Sequence, residues 1–117
     1  MKILVIGSRG IASLCDEAKC RITCLLSGDG AMLISGGARG VDSLAEELAD
    51  RFSIPKLIIR PNYDKYGRRA PLVRDCEMVE RADYVLAVWD GESRGTKYTL
   101  DYAEKLGKST EIILQRK

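Results

Sequence analysis

The chain has 117 residues, a length that suits one domain with a substantial buried core. Hydrophobic residues make up 45% of the sequence and charged residues 31%, which excludes a disordered or low-complexity chain. The net charge of +2 is too small to indicate a nucleic-acid binder, and no apolar run approaches the roughly 20 residues of a membrane-spanning helix. We therefore expect a cytoplasmic protein with a single domain (residues 1–117), without membrane contact and without nucleic acid as a partner.

Histidine is absent from the sequence, which excludes His-based triads and most zinc sites, so no metal is expected. The cysteines lack C-x-x-C spacing, and three of them fall at helical spacing within one apolar stripe. These three are Cys15, Cys20 and Cys24, and the fourth is Cys76. We predict that the cysteines are reduced and mostly structural, as in cytosolic proteins.

Short apolar runs alternate with stretches of helical periodicity along the whole chain, each pair separated by a Gly-rich or polar turn. Such short runs are typical of buried parallel strands. The predicted strands are Lys2–Ile6, Ala31–Ser35, Lys56–Ile59, Tyr84–Val88 and Glu111–Leu114.

Four helices are predicted between these strands. Apolar residues recur with a period of 3.6 from Ile11 to Leu26 and again from Val41 to Phe52. Pro71 suits the first turn of the third helix, and Thr96 is predicted to cap the fourth, which ends at Gly107. The expected inner face of the third helix consists of Leu72, Cys76 and Val79.

This βαβαβαβαβ order predicts an α/β fold with a Rossmann-like, doubly wound parallel sheet of about five strands and helices on both faces. We expect the strand order 3-2-1-4-5 in sequence numbering. Ligands of such sheets bind beyond the carboxyl ends of the strands, near the point where the strand order reverses.

Three Gly-rich turns fall at that edge, after the first, second and fourth strands. Glycines let a ligand approach the backbone, and the helices that follow present free N–H groups to an anion such as phosphate. Neither G-x-G-x-x-G nor a P-loop motif is present. The candidate ligand-binding residues are Gly7, Ser8, Arg9, Gly36, Gly37, Ala38, Arg39, Gly40, Asp42, Arg74, Asp90, Gly91, Ser93, Gly95 and Thr96.

The candidate catalytic residues are carboxylates, namely Asp42, Asp75 and Asp90. Asp42 suits a first-turn carboxylate that complements a helix dipole, and it equally suits an acceptor for a ribose hydroxyl or for the Gly-rich loop. The basic residues in and after the loop Arg60–Arg69 are either phosphate contacts or part of a solvated surface, and they are Lys65, Arg68, Arg69 and Arg74. Tyr63, Tyr66 and Trp89 are either base-stacking residues or packing residues.

These motifs, taken together and in order, resemble the SLOG superfamily, named for the Smf/DprA and Lonely-guy proteins, and within it the YspA/YpsA-like group. The resemblance spans nearly the whole chain. It is carried by Gly7-Ser8-Arg9, Gly36-Gly37-Ala38-Arg39-Gly40-Val41-Asp42, Leu44-Ala45, Lys65-Tyr66-Gly67-Arg68-Arg69-Ala70-Pro71, Arg74, Ala82-Asp83 and Asp90-Gly91-Glu92-Ser93-Arg94-Gly95-Thr96.

The resemblance implies a domain that binds a nucleotide or a nucleotide-derived ligand, related to ADP-ribose or NAD, as a sensor or carrier, with no cofactor of its own. Gly7, Ser8 and Arg9 would line the base or ribose side. The second wall would be formed by Gly36, Gly37, Gly40 and Asp42, and phosphate would be held by Gly91, Gly95 and Thr96. A homodimer is also implied.

Two departures from the family pattern bear on activity. The Lonely-guy phosphoribohydrolases carry P-G-G-x-G-T-x-x-E, and here Thr99 stands at the position of the glutamate. Arg74-Asp75 replaces an Arg-Asn pair that is frequent in the YspA-like pattern. An enzyme that cleaves or transfers the N-glycosidic bond of a nucleoside phosphate is therefore the alternative, and a single-stranded DNA-binding module is the lesser one.

Overall fold

The computed structural model describes residues 1–116, which form a parallel five-stranded sheet flanked by helices. The strand order is β3-β2-β1-β4-β5, so the predicted fold class and topology are confirmed. The strands are β1 (Lys2–Gly7), β2 (Met32–Ser35), β3 (Lys56–Ile58), β4 (Tyr84–Trp89) and β5 (Ser109–Leu114).

The helices cover both faces of the sheet, with α1 and α2 on one face and α4 and α5 on the other. Their bounds are α1 (Asp16–Leu26), α2 (Val41–Arg51), α3 (Tyr63–Tyr66), α4 (Ala70–Arg81) and α5 (Arg94–Lys105), with a 3-10 turn (Gly67–Arg69) between α3 and α4. No helix within residues 1–116 is both long enough and apolar enough to cross a bilayer.

Two hydrophobic cores follow from the alternation of side chains along the strands. In β1, Ile3 and Val5 pack against α1 and α2, whereas Leu4 and Ile6 pack against α4 and α5. A strand covered on both faces has no polar side, which is why its sequence is a continuous apolar run.

The first helix begins later than predicted, at Asp16. The buried residues Ile11 and Leu14 reach the core from an extended segment instead. Gln115 holds this segment, because its side chain accepts the Cys15 N–H (2.9 Å) and donates to the Ser13 carbonyl (2.7 Å). The apolar spacing before Asp16 reflects burial without helix formation.

The cysteine prediction is only partly correct. All four cysteines are free, but Cys20 and Cys24 are exposed on α1 and do not belong to its buried stripe. That stripe consists of Ala18, Ile22 and Leu26.

The third and fourth predicted helices also differ in detail. Pro71 lies in the first turn of α4 as expected, but Leu72 is 38% exposed and the buried face includes Arg74 and Met78. Helix α5 begins at Arg94 with Ser93 at the N-cap position, although the Ser93 side chain makes no capping hydrogen bond, and Thr96 lies within the first turn.

The predicted loop Arg60–Arg69 contains α3 and the 3-10 turn. Asn62 starts α3, since its side-chain oxygen accepts the Lys65 N–H at 3.1 Å. Of the aromatic and basic residues of this segment, Arg60 and Tyr63 line a cavity at the carboxyl edge of the sheet, which is described in the next section.

Candidate functional site

Two adjoining cavities lie at the carboxyl ends of β1, β2 and β4, and the strand order reverses between β1 and β4. The inner cavity, of about 470 Å³, lies between the turn after β1 and the first turns of α4 and α5. The outer cavity, of about 500 Å³, lies over the turn after β2 and the segment after β3. Arg9, Ala38, Arg39 and Arg74 line both, so the cavities form one continuous groove.

Most of the predicted ligand-binding residues lie in this groove. The inner cavity contains Gly7, Ser8, Arg9, Ala38, Arg39, Asp42, Arg74, Ser93, Gly95 and Thr96. The outer cavity adds Gly36 and Gly37. The candidate catalytic residue Asp75 lines the inner cavity beside Asp42.

Ser8 joins the three Gly-rich turns at the base of the groove. Its carbonyl accepts the Val41 N–H at 3.4 Å, and its hydroxyl oxygen accepts the Asp90 N–H at 3.1 Å. Gly40, with a φ of 79°, packs so closely that a Cβ there would lie 2.6 Å from the Ser8 and Arg9 carbonyl oxygens. The turns therefore form one rigid unit, and Gly40 acts in it by packing without lining either cavity.

Arg74 is buried, and its guanidinium hydrogen-bonds to several of the segments that form the groove. Its Nη1 donates to the Gly36 carbonyl at 2.6 Å and, at 3.4 Å, to that of Ile59. Its Nε donates to Oδ1 of Asp75 at 2.7 Å. Gly36 is required here, because a Cβ would lie 2.6 Å from Nη1 of Arg74. This arginine holds β2, β3 and α4 together at the site.

Two carboxylates line the inner cavity, of which Asp42 is buried and Asp75 is partly buried. Asp42 is 8% exposed, and burial raises its pKa from 3.8 to about 6, even though its Oδ2 accepts the Ala38 N–H at 3.2 Å and Arg74 lies nearby. Burial also raises the pKa of Asp75, against the opposing effects of Arg74 and of the Thr99 hydroxyl, which donates to its Oδ2 at 3.2 Å. The two carboxylates accept hydrogen bonds and disfavour anions.

The outer cavity has the opposite character. It is lined by Arg9, Arg39, Arg60 and Arg74, with no carboxylate among its lining residues. Arg9, Arg39 and Arg60 are exposed and make no ion pair within residues 1–116. Tyr63, which is 57% exposed, completes the rim.

Gly37 lets one of these arginines approach the backbone. A Cβ at Gly37, which has a φ of 71°, would lie 2.7 Å from Nη1 of Arg60. Arg60 was predicted only as part of a basic loop, not as a ligand-binding residue. Its position two residues after β3, at the carboxyl edge of the sheet, is the sequence feature that could have identified it.

Only part of the turn after β4 lies at the groove. Asp90 is a turn-forming residue, because its Oδ1 accepts the N–H groups of Glu92 (2.9 Å) and Ser93 (2.8 Å). Gly91 lines a separate shallow depression of about 380 Å³ next to Trp89. Asp90 and Gly91 therefore do not line the groove.

Comparison with solved structures identifies the fold. The chain is similar to DNA processing protein A from Helicobacter pylori, with a TM-score of 0.74 and 22% identity over 99% of this chain and 66% of that one. The Streptococcus pneumoniae protein of that name gives 0.74 and 16% over 97% of this chain and 50% of that one. A protein named TM1055 gives 0.73 and 20% over 93% of this chain and 71% of that one. These likenesses show that the chain shares the Rossmann-like α/β fold of these proteins.

The sequence itself places the chain more narrowly. No family model matches it. It is 33% identical over 84 residues to the Gene 61 protein of Mycobacterium phage D29, an alignment that covers 67% of this chain and 67% of that protein. The chain belongs to the family of this phage protein.

One expectation about partners is wrong. The Helicobacter pylori structure describes a single-stranded DNA binding mode, and it shares the fold across almost the whole of this chain. Net charge was a poor guide, because it averages over the entire surface. The structure gathers Arg9, Arg39 and Arg60 at one cavity, so the local charge is far more positive than the +2 of the chain.

Proposed function

We propose that this chain binds single-stranded DNA in the outer cavity of the groove. The observation that carries this proposal is the outer cavity, in which four arginines and an exposed tyrosine converge without a carboxylate. Non-specific single-strand binders combine a positive groove for the backbone with aromatic side chains on which bases stack. The single-stranded DNA binding of the Helicobacter pylori structural neighbour supports the same assignment.

In this proposal the exposed arginines bind phosphates and Tyr63 stacks on a base. Arg9, Arg39 and Arg60 are free to do so because none of them is paired within the described residues. Arg74 contributes its charge, but its Nε and Nη1 hold Asp75 and Gly36.

The test is fluorescence anisotropy of a labelled oligothymidine across a range of salt concentrations. Three phosphate contacts predict a slope of log K against log salt of about −2, since each contact to a single strand contributes about −0.7. Arg60→Ala is expected to reduce the slope by about 0.7, and Tyr63→Ala to weaken binding by about 1 to 3 kcal/mol.

The matched control is Arg51→Ala, which removes an exposed arginine at the end of α2 that lines neither cavity. It is expected to leave the slope nearly unchanged. Absence of binding at low salt, or equal losses for Arg51→Ala and Arg60→Ala, would contradict the proposal.

A nucleotide-derived small molecule is a second candidate ligand, favoured by the mixed chemistry of the inner cavity. This cavity combines the acceptors Asp42 and Asp75 with the first turn of α5 at Gly95 and Thr96, which suits a ligand with both hydroxyl and phosphate groups. Thermal-shift assays with nucleotides, NAD and ADP-ribose, followed by mass spectrometry, test it. A shift with an intact ligand supports a sensor or carrier, and a cleaved ligand supports N-glycosidic hydrolysis. No shift with any compound would contradict this candidate.

We further propose that residues 1–117 form one SLOG domain of the YspA-like type, which acts as a homodimer in the cytoplasm. The motif set named above supports the YspA-like assignment, and the single sheet with its two cores supports one domain. Size-exclusion chromatography with light scattering tests the dimer, and a monomer at micromolar concentration would contradict it.

A further inference from the structure

We propose that the free edge of β5 and the adjoining side of α5 form the surface through which two copies of this chain pair about a two-fold axis. The two β5 strands then run antiparallel and join the sheets of both copies into one continuous sheet. This inference rests on the proposed homodimer, because it names the surface that forms it. It does not depend on DNA binding, since no residue of β5 lines the groove.

The two edges of the sheet differ in how they are protected against a further strand. Strand β3 has only three residues, follows Pro55 directly and begins at Lys56. Short length, lysine and proline are devices by which proteins block a sheet edge. Strand β5 has six residues, contains neither lysine nor proline, and pairs only with β4 within residues 1–116. The β5 edge is therefore open to a further strand.

Exposed apolar side chains lie along this open edge. Ile113 packs in the core formed with α1 and α2, so Ile112 and Leu114 point to the opposite face of the sheet. They are 46% and 71% exposed, so α5 leaves them largely uncovered. The Gln115 N–H donates to the Trp89 carbonyl of β4 at 2.8 Å, and successive residues of a strand direct their backbone groups to opposite sides. The backbone groups of Ile112 and Leu114 therefore point away from β4.

Helix α5 carries a stripe of charged residues next to these apolar side chains. The members of the stripe are exposed and are spaced three or four positions apart, which places them on one side of the helix: Arg94, Lys97, Asp101 and Glu104. The first three line the depression beside Trp89, whose neighbour in register on β5 is Leu114. The charged stripe therefore adjoins the open edge of the sheet.

The charges of this stripe change from basic to acidic along the helix. Arg94 lies in the first turn and Glu104 in the last, where each opposes the helix dipole. Lys97 pairs with Asp101 at 2.9 Å. Arg94 and Glu104 make no ion pair within the part of the chain that the structure describes. The stripe is therefore not arranged to stabilise its own helix.

A second copy related by a two-fold axis complements this charge order. Antiparallel pairing of two β5 strands with Ile112 at the axis places Leu114 of each copy opposite Thr110 of the other. The two α5 helices then also run antiparallel, so that Arg94 of each copy faces Glu104 of the other. The apolar side chains leave water, and the outward backbone groups gain hydrogen bonds. Because each contact occurs twice, the surface favours a second copy over an unrelated peptide.

The test is sedimentation velocity over a series of protein concentrations, with the whole chain and its variants. Ile112→Lys places two lysines side by side at the axis and is expected to raise the dimer dissociation constant at least about a hundredfold. Phe52→Lys is the matched control, because Phe52 is 48% exposed but follows α2, which packs against β1 and β2. It is expected to leave the dissociation constant unchanged.

A charge exchange tests the pairing of the two helices. Arg94→Glu or Glu104→Arg alone brings like charges together twice in the dimer and should raise the dissociation constant about tenfold. The double variant Arg94→Glu, Glu104→Arg should restore association, because the exchanged charges again face each other. A loss caused only by damage to α5 would not be reversed in this way.

A wild-type dimer that dissociates with Ile112→Lys, and whose association the charge exchange restores, supports the inference. A dimer that persists in Ile112→Lys, or that Phe52→Lys weakens equally, overturns this surface and leaves the proposed homodimer standing. A double variant as weak as the single ones also overturns the antiparallel arrangement. A monomeric wild type at micromolar concentration overturns both the homodimer and its surface, and the β5 edge then takes a different strand or none. Oligothymidine binding by the same samples is a separate outcome.

Discussion

Replacing Asp42 by asparagine is expected to stabilise the unliganded protein near neutral pH. Burial raises the pKa of this carboxyl from 3.8 to about 6, so its ionisation opposes folding. A difference of this size corresponds to about 3 kcal/mol, because each factor of ten in the ionisation constant is worth about 1.36 kcal/mol. Asparagine keeps an oxygen that accepts the Ala38 N–H and carries no charge.

The raised pKa of Asp42 fixes the direction in which its contribution to stability changes with pH. The folded state binds the proton more tightly than the unfolded state, so the contribution of Asp42 is fully present below a pH of 3.8 and is lost as the pH rises through about 6. Of the total, about 2 kcal/mol is lost between a pH of about 4.5 and about 7.5. The stability advantage of Asp42→Asn over the wild type should grow by that amount across this interval.

Urea denaturation of both proteins at these two pH values measures the effect as a difference in the free energy of unfolding. Glu47→Gln is the control, since an exposed carboxylate on the same helix is expected to change stability little. An advantage of Asp42→Asn that does not vary with pH, or a variant less stable than the wild type near pH 7.5, would refute the assignment of a destabilising buried charge.

Three further predictions concern other parts of the structure. Arg74→Met leaves Asp75 without its ion pair and should lower the free energy of unfolding by about 3 to 5 kcal/mol. A loss below about 1 kcal/mol in urea denaturation would contradict a structural role for the contacts of Arg74. Gly7→Ala places a Cβ 2.2 Å from the Val88 carbonyl oxygen and should prevent stable folding. Gly95→Ala is the control, because no heavy atom lies within 4 Å of its new Cβ, and it should be neutral or stabilising in thermal unfolding. Equal effects of the two variants on thermal unfolding would contradict the close packing at Gly7. The pKa of Tyr102 should be about 12, because its hydroxyl donates a hydrogen bond to the Glu80 carboxylate at 2.6 Å. Glu80→Gln should lower that pKa in an absorbance titration. An unchanged pKa would exclude the contact.

The topology was predictable because it depends on local patterns. Short apolar runs separated by helical periodicity indicate parallel strands with crossover helices, and crossovers are right-handed. The strand order and the edge that carries the groove follow from these rules. Even so, the predicted start of α1 was too early, since the helix begins only at Asp16. Gln115, about a hundred positions away in the chain, holds the residues before Asp16 outside the helix.

The location of the site was predictable from the sequence, but the roles of its individual arginines and aspartates were not. Arg60 and Arg74 look alike in the sequence, yet Arg60 is exposed in the outer cavity and Arg74 is 7% exposed and ties the walls together. Asp90 and Asp75 were equivalent candidates, but Asp90 caps the backbone of its own turn and Asp75 faces the inner cavity.

The sequence by itself determined the fold class, the strand order and the glycines that build the turns, since periodicity and backbone freedom are properties of short segments. Only the tertiary structure decided which charges pair with each other and which remain available to a ligand. That choice depends on contacts between residues far apart in the chain: Arg74 reaches Gly36 across 38 positions, and Ser8 reaches Asp90 across 82. Burial at those contacts then sets the ionisation of Asp42, which no local pattern encodes.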